Sequence, residues 1–591
     1  MGTWGNFSPA NLGTEFGPAV QQVLYHEKKV PTASKKKIRR ETATVETRPS
    51  VIARVGEFVE RRAVILVIAL ILLGSVRIAL TYTVFNHTSD EPAHIACGMQ
   101  WLDQGAYNYE AQHPPLTRVM VALLPYLAGV HGNKQGDMTF EGNTILYGGG
   151  PSQYDWRLAL SRAGNLPFFW LASWMVFLWG RKILGTVGAV ISVLIFTMTP
   201  TVLAHAGLST TDMGVTAGIA AALYALFRLV EEPGPKTAAW FGLALAVMVL
   251  SKFSALVYYP ASVALALAVW IWIARPQSAS VFGRALRILP WAAASVAVAF
   301  IVIWAGYRFS FGKNTYLPFP APFPELFAGI QQVSEHNTGG HLSYLFGDLR
   351  MEGWWYFFPV LLAVKLPLAL LALIALGLWK RFARPTDGWM FGIIIAIPLA
   401  MLAVAMSAHI NIGIRHILPI FPFLAVIGAA GAMWLSTAGQ AGKWPFWILG
   451  AALLWLCGTS LASHPDYLPY FNALAGEHPE RIVVDSDLDW GQDIKRLGRR
   501  LAELHAPSVA FTPTITISLA SVGFPAHGRS SPDAPEPGWN AVQMTQWKLY
   551  RLGLQMNDPT AQTWPDLIQP SERIGKSILL YYIPPQAAQP R

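Results

Sequence analysis

The sequence is poor in charge and almost free of cysteine. Charged residues make up only 13% of the 591 residues, whereas a soluble domain carries roughly a quarter. The two cysteines, Cys97 and Cys457, are too few for a disulfide framework, and we predict that both are free. The polar N-terminus lacks the short apolar run of a cleavable signal peptide, so none is predicted. These shortages exclude a soluble enzyme and a disulfide-stapled secreted domain.

Long apolar runs dominate the rest of the chain. Apolar residues make up 53% of the sequence, and a transmembrane helix needs about 20 in a row. We predict roughly eleven spans, near 63–85, 163–180, 183–203, 212–230, 237–253, 255–274, 288–305, 355–378, 388–407, 416–436 and 444–462. The number of spans between 237 and 274 stays open, because only Ser251-Lys252 divides that run. The run 116–130 is too short to span and predicts an interfacial helix.

The basic residues predict the orientation. Clusters of Lys and Arg fall in alternate loops: Lys35-Lys36-Lys37, Arg39-Arg40, Arg61-Arg62, Arg181-Lys182, Lys236, Arg284, Arg287, Lys380-Arg381 and Lys443. Short loops rich in Lys and Arg stay cytoplasmic. We therefore predict a cytoplasmic N-terminus in a bacterial-type inner (plasma) membrane. Loops 86–160, 204–211, 306–354 and 408–415 and the C-terminal segment then lie outside.

Three segments follow from this pattern. Residues 1–62 form a basic tail that we predict to be disordered and cytoplasmic, residues 63–463 the transmembrane domain, and residues 464–591 a small extracytoplasmic α/β domain. In the last segment, apolar periodicity predicts a helix over 493–505 and strands over 509–519 and 577–583. The net charge of +10 reflects the tail and the loop bias. It indicates contact with membrane lipid, and the tail lacks any folded motif for nucleic acid.

The most informative polar residues follow the first apolar run. Asp90 and Glu91 precede His94 by four and three residues, so on a helical turn the three share one face. His113 precedes Pro114-Pro115, which stiffens the backbone there. Such a cluster at a membrane surface indicates proton transfer or anion handling. The alternative is that Ser89 or Asp90 only caps the helix that follows.

At these residues the chain resembles the polytopic glycosyltransferases of the GT-C type. The resemblance is closest to glycosyltransferase family 39, which includes protein O-mannosyltransferases and aminoarabinose transferases, and it runs in order from about 60 to 500. The matching pieces are Asp90-Glu91-Pro92-Ala93-His94, His113-Pro114-Pro115-Leu116, Ser209-Thr210-Thr211-Asp212, Gly353-Trp354-Trp355-Tyr356-Phe357-Phe358-Pro359 with Lys365, Gly413-Ile414-Arg415-His416-Ile417-Leu418-Pro419, Asp466-Tyr467 with Tyr470-Phe471-Asn472, and Asp485-Ser486-Asp487-Leu488-Asp489-Trp490-Gly491-Gln492-Asp493. Two departures are Gln112, where relatives often carry Glu, and Asp487, where they often carry Asn.

The resemblance implies an inverting transferase at the outer membrane face. The donor is a sugar on a polyprenyl phosphate, and the acceptor is a hydroxyl of a lipid, glycan or protein. Asp90 is the implied general base, Glu91 supports it in binding acceptor or metal, and Asp212 is a second acidic residue of the site. Without the resemblance, Asp212 is read as part of a helix cap with Thr210-Thr211.

Cations and histidines complete the expected site. Arg415 lies in a short outer loop and is the predicted ligand of the donor phosphate, because arginine makes bidentate contacts to phosphate. The other predicted substrate-binding residues are His94, His113, Lys252, Lys365 and His416. No cofactor is assigned. A divalent metal ion stays open, because the sequence lacks a dense set of ligands.

Two other classes of protein remain as alternatives. A transporter or flippase of lipid-linked glycan would show internal repeats and polar residues at the membrane midplane, whereas here the acids collect in outer loops and no repeat is present. A non-catalytic binding subunit of the same fold would lose the acidic cluster, which this chain keeps at Asp90, Glu91 and Asp212.

Overall fold

The computed structural model describes residues 51–134, 136–383, 388–438 and 444–585. The predictions for the N-terminal 50 residues and for Lys443 lie outside these ranges. The helices are α1 (Val51–Ala79), α2 (Glu91–Gln104), α3 (Pro115–Leu127), α4 (Met138–Tyr147), α5 (Pro151–Ala163), α6 (Leu166–Thr197), α7 (Pro200–Ala206), α8 (Asp212–Glu231), α9 (Pro235–Val249), α10 (Ala255–Ala274), α11 (Ser278–Gly306), α12 (Pro324–Gly339), α13 (Phe357–Lys365), α14 (Leu368–Ala383), α15 (Trp389–Met406), α16 (Phe421–Ala438), α17 (Trp444–Ala462), α18 (Ile494–Glu503), α19 (Met544–Gln555) and α20 (Trp564–Leu567).

Strands are few and lie late in the chain. They are β1 (Phe311–Gly312), β2 (Ala321–Pro322), β3 (Ser343–Leu345), β4 (Asp348–Arg350), β5 (Ser508–Ala510), β6 (Ala526–Gly528), β7 (Gly538–Gln543), β8 (Glu572–Ile574) and β9 (Ile578–Ile583). Two short hairpins pair β1 with β2 and β3 with β4. The other five strands form one mixed sheet in the order β6-β5-β7-β9-β8, with β5 parallel to both of its neighbours.

Long apolar helices confirm the predicted class, a polytopic helical membrane protein with a small sheet near its C-terminal end. Within the described ranges, eight helices are long and apolar enough to cross a membrane, and nine if one bent pair is counted. The most apolar stretches of α10 and α11 are only 11% buried inside the protein, so most of their side chains point away from the other helices. The span Ile414–Ala438 is 78% buried and forms the centre of the bundle.

The sequence-based number of eleven spans differs from this count at three places. Helix α6 is two helices joined at Gly185, where φ is 75°. The rings of Phe169 and Phe196 stack 6.3 Å apart although 27 residues separate them. A straight helix would place them about 40 Å apart, so the chain reverses at Gly185 and the two predicted spans form a hairpin.

The other two differences concern broken or short helices. Helices α13 and α14 meet at 114°, because Pro367 disfavours the helical conformation at Leu366, which is extended. The run predicted at 237–253 forms the 15-residue helix α9, which is shorter than a full span. The apolar helix predicted at 116–130 is found as α3.

The C-terminal sheet packs on both of its faces. Ile578 and Leu580 of β9 belong to one core with Ile494 and Leu497 of α18, and this core continues into α2 to α5. Alternate residues of the same strand, such as Tyr581, pack on the other side in a second core that includes α19. The two faces alternate because side chains of a strand point to opposite sides. The sheet is thereby held against the loops that carry the polar cluster, and the predicted boundaries at 62 and 463 stay a prediction.

Candidate active site

Asp90 lies at the entrance of the polar cluster, directly before α2. Its carboxylate makes no capping hydrogen bond to α2, so the capping alternative does not describe it. Instead, Nη1 of Arg415 donates to Oδ2 of Asp90 at 2.9 Å. The Asp90 side chain is 37% exposed, while that of Arg415 is 10% exposed. A partly open carboxylate thus stands beside an enclosed guanidinium.

A close contact between two distant loops positions Arg415. Its guanidinium lies 4.1 Å from the centre of the Trp490 ring, a cation–π contact. The backbone N–H of Ile414 donates to the carboxylate of Asp487 at 3.2 Å. Gly413 has φ of 155°, and a Cβ there would come within 2.3 Å of the Ser486 hydroxyl. The 413–416 turn therefore needs glycine in order to lie against residues 486–490.

A second ion pair lies deeper, at the start of α8. Nζ of Lys252 donates to Oδ1 of Asp212 at 2.6 Å, and Asp212 is 1% exposed. Asp212 also interacts electrostatically with Arg415, His205 and His416. His416 in turn interacts with His113. The structure therefore brings predicted residues of four separate segments into one cluster.

Buried polar atoms without a hydrogen-bond partner concentrate in this cluster. Buried polar groups in folded proteins are nearly always paired. Within the part of the chain that the structure describes, seven such side-chain atoms here have no partner: Thr117 Oγ1, His205 Nδ1, Ser209 Oγ, Thr210 Oγ1, Asp212 Oδ2, Arg415 Nε and His416 Nε2. We call these atoms, with Asp90 and Lys252, the central cluster. They offer donors and acceptors to a polar ligand.

The two predicted histidines of the first outer loop belong to a network around Arg118. Nε of Arg118 donates to Nδ1 of His94 at 3.0 Å, and the same guanidinium contacts Glu110, Tyr107 and His113. Burial, then the charge of Arg118, lowers the pKa of His94 well below its usual value. Both histidines are therefore neutral at pH 7, since burial also lowers the pKa of His113. They can orient a ligand by hydrogen bonds but do not supply positive charge.

Glu110 carries the negative charge of that network. Burial alone would raise its pKa, but the hydrogen bond with His113 and the charge of Arg118 outweigh burial and lower the pKa to about 2. Gln112, the first departure from the relatives, contacts Nδ1 of His336 at 2.8 Å instead of presenting a carboxylate. This contact ties the first outer loop to helix α12.

Glu91 has no atom left for a ligand. Its two oxygens accept from Nε and Nη2 of Arg162, each at 2.8 Å. They also accept from the backbone N–H groups of Thr88 and Ser209 at 2.8 and 2.9 Å. Glu91 is fully buried. Its contacts join the loop before α2 to the 207–211 turn, so they support a positioning role next to the predicted base.

Lys365 is likewise committed to contacts within the protein. Its ammonium group donates to the carbonyl oxygens of Asp487 at 2.6 Å and Leu468 at 2.7 Å. It also lies 4.3 Å from the centre of the Phe471 ring. These contacts hold residues 468–487 against the end of α13, and the structure does not bring Lys365 into contact with Asp90 or Arg415.

Sequence reasoning missed several residues of the site. His205 is a lone histidine in an apolar run, and Arg162 lies 71 residues from Glu91, the acid it contacts, so no spacing signal marked them. Arg118 lies only eight residues from Glu110, but this pair was not predicted. Asp485 could have been found from the sequence, because acidic residues recur at short intervals over 485–493. Burial and the charge of Asp90, opposed by Arg415, raise the pKa of Asp485 to about 7.

A metal ion has no obvious ligand set here. Across residues 51–134, 136–383, 388–438 and 444–585, no three His, Cys, Asp or Glu side chains are placed to hold one ion. The acids and histidines of the central cluster are instead paired with Lys252 and Arg415, or lie beside them.

One sequence family matches the part of the chain that holds the deeper ion pair. Residues 166–291 match the family described as dolichyl-phosphate-mannose-protein mannosyltransferase. This stretch contains His205, Asp212 and Lys252. No curated protein sequence matches the chain.

Solved structures with a similar fold include the following three. ArnT from Cupriavidus metallidurans bound to undecaprenyl phosphate has a TM-score of 0.47 and 13% identity, covering 89% of this chain and 99% of that one. The oligosaccharyltransferase of Archaeoglobus fulgidus has a TM-score of 0.43 and 11% identity, covering 66% and 52%. The S. cerevisiae protein O-mannosyltransferase Pmt1-Pmt2 complex bound to the sugar donor has a TM-score of 0.32 and 20% identity, covering 42% and 33%.

The family match confirms the predicted class. It supports a glycosyltransferase, and the long apolar helices support an integral membrane protein. Because the matched residues are less than half of the chain, the particular reaction within this class is a matter of proposal.

Proposed function

We propose that this protein is an inverting transferase that moves a sugar from a polyprenyl phosphate to a hydroxyl of a lipid, glycan or protein. The observation that carries the proposal is the central cluster. It joins a partly exposed carboxylate, Asp90, to two enclosed cations, Arg415 and Lys252, among buried polar atoms that lack partners in the described chain. This is the combination that displacement of a phosphate leaving group requires.

The proposed reaction is a single in-line displacement. The acceptor oxygen attacks the anomeric carbon as Asp90 takes its proton, and the bond from that carbon to the phosphate oxygen breaks with its electron pair going to the phosphate. A positioned general base of this kind contributes about 10²- to 10⁴-fold to the rate. Asp90 suits the role because its carboxylate is partly exposed and free of capping bonds.

Arg415 and Lys252 are the proposed ligands of the donor phosphate. Nε of Arg415 lacks a partner, and the three protons of Lys252 have one acid partner, Asp212, among the described residues. In-line displacement puts the base and the leaving phosphate on opposite sides of the anomeric carbon. The contact between Arg415 and Asp90 therefore opens when the donor enters, as the phosphate offers the guanidinium a new acceptor.

Asp212, His205 and His416 complete the proposed donor site. Asp212 holds Lys252 at 2.6 Å, and its other oxygen is free to accept from a sugar hydroxyl. The description of the matched family pairs a dolichyl-phosphate sugar with a protein acceptor. It supports a polyprenyl-phosphate donor, while the acceptor class stays open between lipid, glycan and protein.

The same proposal places the site on the outer face of a bacterial-type inner membrane. Lys182, at the turn of the α6 hairpin, pairs with Glu231 at the end of α8, whereas Asp212 begins α8. The 20 residues of α8 span about 30 Å. The basic hairpin turn and the central cluster thus lie at opposite ends of one span, and basic turns favour the cytoplasm.

Transport of a lipid-linked glycan is the second candidate, because the α13–α14 break is a feature that transporters share. However, Asn472 fills this break, donating to the carbonyl oxygens of Ala363 and Leu366 at 2.6 and 2.7 Å. Because the protein itself hydrogen-bonds these carbonyl oxygens, the break is better explained as a rigid bend than as a binding site for a transported ion.

The test is sugar transfer by purified protein in nanodiscs, supplied with a panel of polyprenyl-phosphate sugars and candidate acceptors. We expect Asp90→Asn to lower kcat by about 10²- to 10⁴-fold. The thermal midpoint should stay close to that of the wild type, because Asp90 is partly exposed.

Asp348→Asn is the matched control, since Asp348 is an exposed acid of the outer hairpin β3–β4. It should transfer at the wild-type rate. Full activity in the folded Asp90→Asn variant would remove Asp90 as the base. Flipping of a lipid-linked glycan by wild-type protein, without transfer, would favour the transporter instead.

A further inference from the structure

A second cavity lies away from the central cluster, beside the C-terminal sheet. Its volume is about 640 Å³, and it is lined by residues 344–347 on one side and by α19 and β9 on the other. Neither Asp90 nor Arg415 lines it. A cavity of this size holds a monosaccharide or a small charged group.

The lining is rich in cations. Arg481, Lys548, Arg551 and Arg573 contribute four positive charges, against Glu480 and Asp566. Arg573 pairs with Glu480 at 3.2 Å and Arg551 with Asp566 at 2.9 Å. Lys548 and Arg481 have no ion pair among the described residues, so the cavity keeps an excess of positive charge.

Three groups in the cavity are short of partners. Lys548 is 8% exposed, and its ammonium group lies over the Trp547 ring at 3.5 Å, with no hydrogen bond to any residue that the structure describes. Nε of Arg551 and Oη of Tyr581 are buried and also lack a partner within the same ranges. Tyr581 is 1% exposed. Burying a cation that has no direct ion-pair partner is costly. A bound anion would accept hydrogen bonds from all three groups.

Helix α19 links this cavity to the central cluster. In its first turn, Oγ1 of Thr545 contacts the backbone N–H of Asp485 and the carbonyl of Asp489. Lys548 lies three residues later on the same helix. That is about 4.5 Å along the helix axis. Asp485 in turn interacts with Arg415 and Asp90, so α19 connects the cavity to the residues around the proposed base.

We propose that this cavity binds a phosphate or carboxylate group of the acceptor, with Lys548, Arg551 and Tyr581 as its ligands. The assignment to the acceptor rests on the proposed function, whereas binding of the anion does not. The cavity would then select acidic acceptors and hold their charged group while the hydroxyl reacts at Asp90.

The first experiment measures binding without any sugar donor. Full-length protein in phosphatidylcholine nanodiscs is titrated with glucose 6-phosphate and with glucose by calorimetry. We expect glucose 6-phosphate to bind and glucose to bind at least about tenfold more weakly. Lys548→Gln should weaken glucose 6-phosphate about tenfold, the size of one charge-assisted hydrogen bond. Arg529→Gln, an exposed cation of the same segment, is the control and should bind as wild type.

Two results would overturn the site: equal binding of glucose and glucose 6-phosphate, or unchanged affinity in Lys548→Gln. Repeating the titration in phosphatidylglycerol nanodiscs identifies the source of the anion. Competition by that lipid would assign a lipid headgroup, and its absence a soluble or glycan-borne anion; both outcomes keep the site.

The transfer assay then tests the acceptor assignment separately. Lys548→Gln should raise the KM for an acidic acceptor and leave kcat near the wild-type value. An unchanged KM in a variant that has lost glucose 6-phosphate binding would overturn the acceptor role alone. Because the calorimetry needs no donor, a failure of the proposed reaction leaves its result intact.

Discussion

Two buried ion pairs of this protein differ in what surrounds them. In the pair of Glu91 with Arg162, both carboxylate oxygens accept from the guanidinium and from backbone N–H groups. In the pair of Asp212 with Lys252, only one carboxylate oxygen has a partner, and Oδ2 has none within the described ranges. Both acids are at most 1% exposed.

The difference distinguishes a buried ion pair that holds the fold together from one that can bind a ligand. Burying a charge is tolerated when every lone pair is used, as at Glu91. At Asp212 the neighbours His205, Arg415 and His416 also have atoms without a partner. Buried polar groups are nearly always paired, so this concentration of unpaired atoms indicates a place for a ligand. This difference is why we propose Glu91 as a positioning residue and the central cluster as the donor site.

The largest effect on stability is expected at Glu91. The substitution Glu91→Gln leaves the guanidinium of Arg162 buried without a negative partner. Breaking a buried pair in this way costs about 3–5 kcal/mol. The thermal midpoint in detergent should fall by about 2–4 °C, and differential scanning fluorimetry would measure it.

Glu503→Gln is the control for that substitution. Glu503 pairs with Arg500 at the surface and is 64% exposed, and pairs of this kind contribute about 0–1 kcal/mol. A Glu91→Gln protein as stable as Glu503→Gln would show that the saturated pair does not hold the fold.

A smaller effect is expected at Lys365, which the sequence marked as a substrate ligand. Lys365→Met removes the ammonium group that donates to Leu468 and Asp487, and loss of such a charged donor costs about 1.5–3 kcal/mol in all. We expect lower stability and faster proteolysis of residues 468–487, with the affinity for polyprenyl phosphate retained.

The opposite pattern would restore the sequence-based role of Lys365. A stable Lys365→Met protein that no longer binds polyprenyl phosphate would place Lys365 in the donor site. Lys380→Met, a cation farther along the same broken span, is the control and should change neither property.

The smallest effect is expected at Asp485, as a dependence of stability on pH. Its pKa of about 7 exceeds that of an unfolded aspartate, about 3.9. The folded state therefore holds the proton more tightly, and the contribution of Asp485 to stability is lost as pH rises from about 4 to about 7.

Asp485→Asn removes this titration, and asparagine tolerates the positive φ of 59° at that position. The thermal midpoint of the variant should rise relative to wild type by about 2–3 °C across the window. Parallel midpoints at all pH values would refute the raised pKa.

Much of the fold was accessible from the sequence because span-length apolar runs and basic turns are local signals. The turn at Arg181-Lys182 indicated a break close to Gly185, where the α6 hairpin reverses. The α13–α14 elbow was missed, although Pro367 marked the point where the helix could not continue. The strand predicted at 509–519 is only Ser508–Ala510, because only these residues pair with β6 and β7.

The sequence named several residues of the candidate site, but it did not predict which of them contact each other. The structure places Asp90, Asp212, Lys252 and Arg415 close together, and their roles stay a prediction. Arg162 lies 71 residues from Glu91, and no spacing rule joins such partners. The commitment of Lys365 to carbonyl oxygens was equally invisible, because those carbonyls come from a segment that tertiary packing brings close.

The most direct test of the account is equilibrium binding of a polyprenyl phosphate to purified protein in nanodiscs. Arg415→Gln should weaken binding about tenfold or more while the thermal midpoint stays near that of wild type. Arg350→Gln, an exposed cation of the outer hairpin, should bind normally. Unchanged affinity in a folded Arg415→Gln protein would contradict the assignment of the central cluster as the donor site.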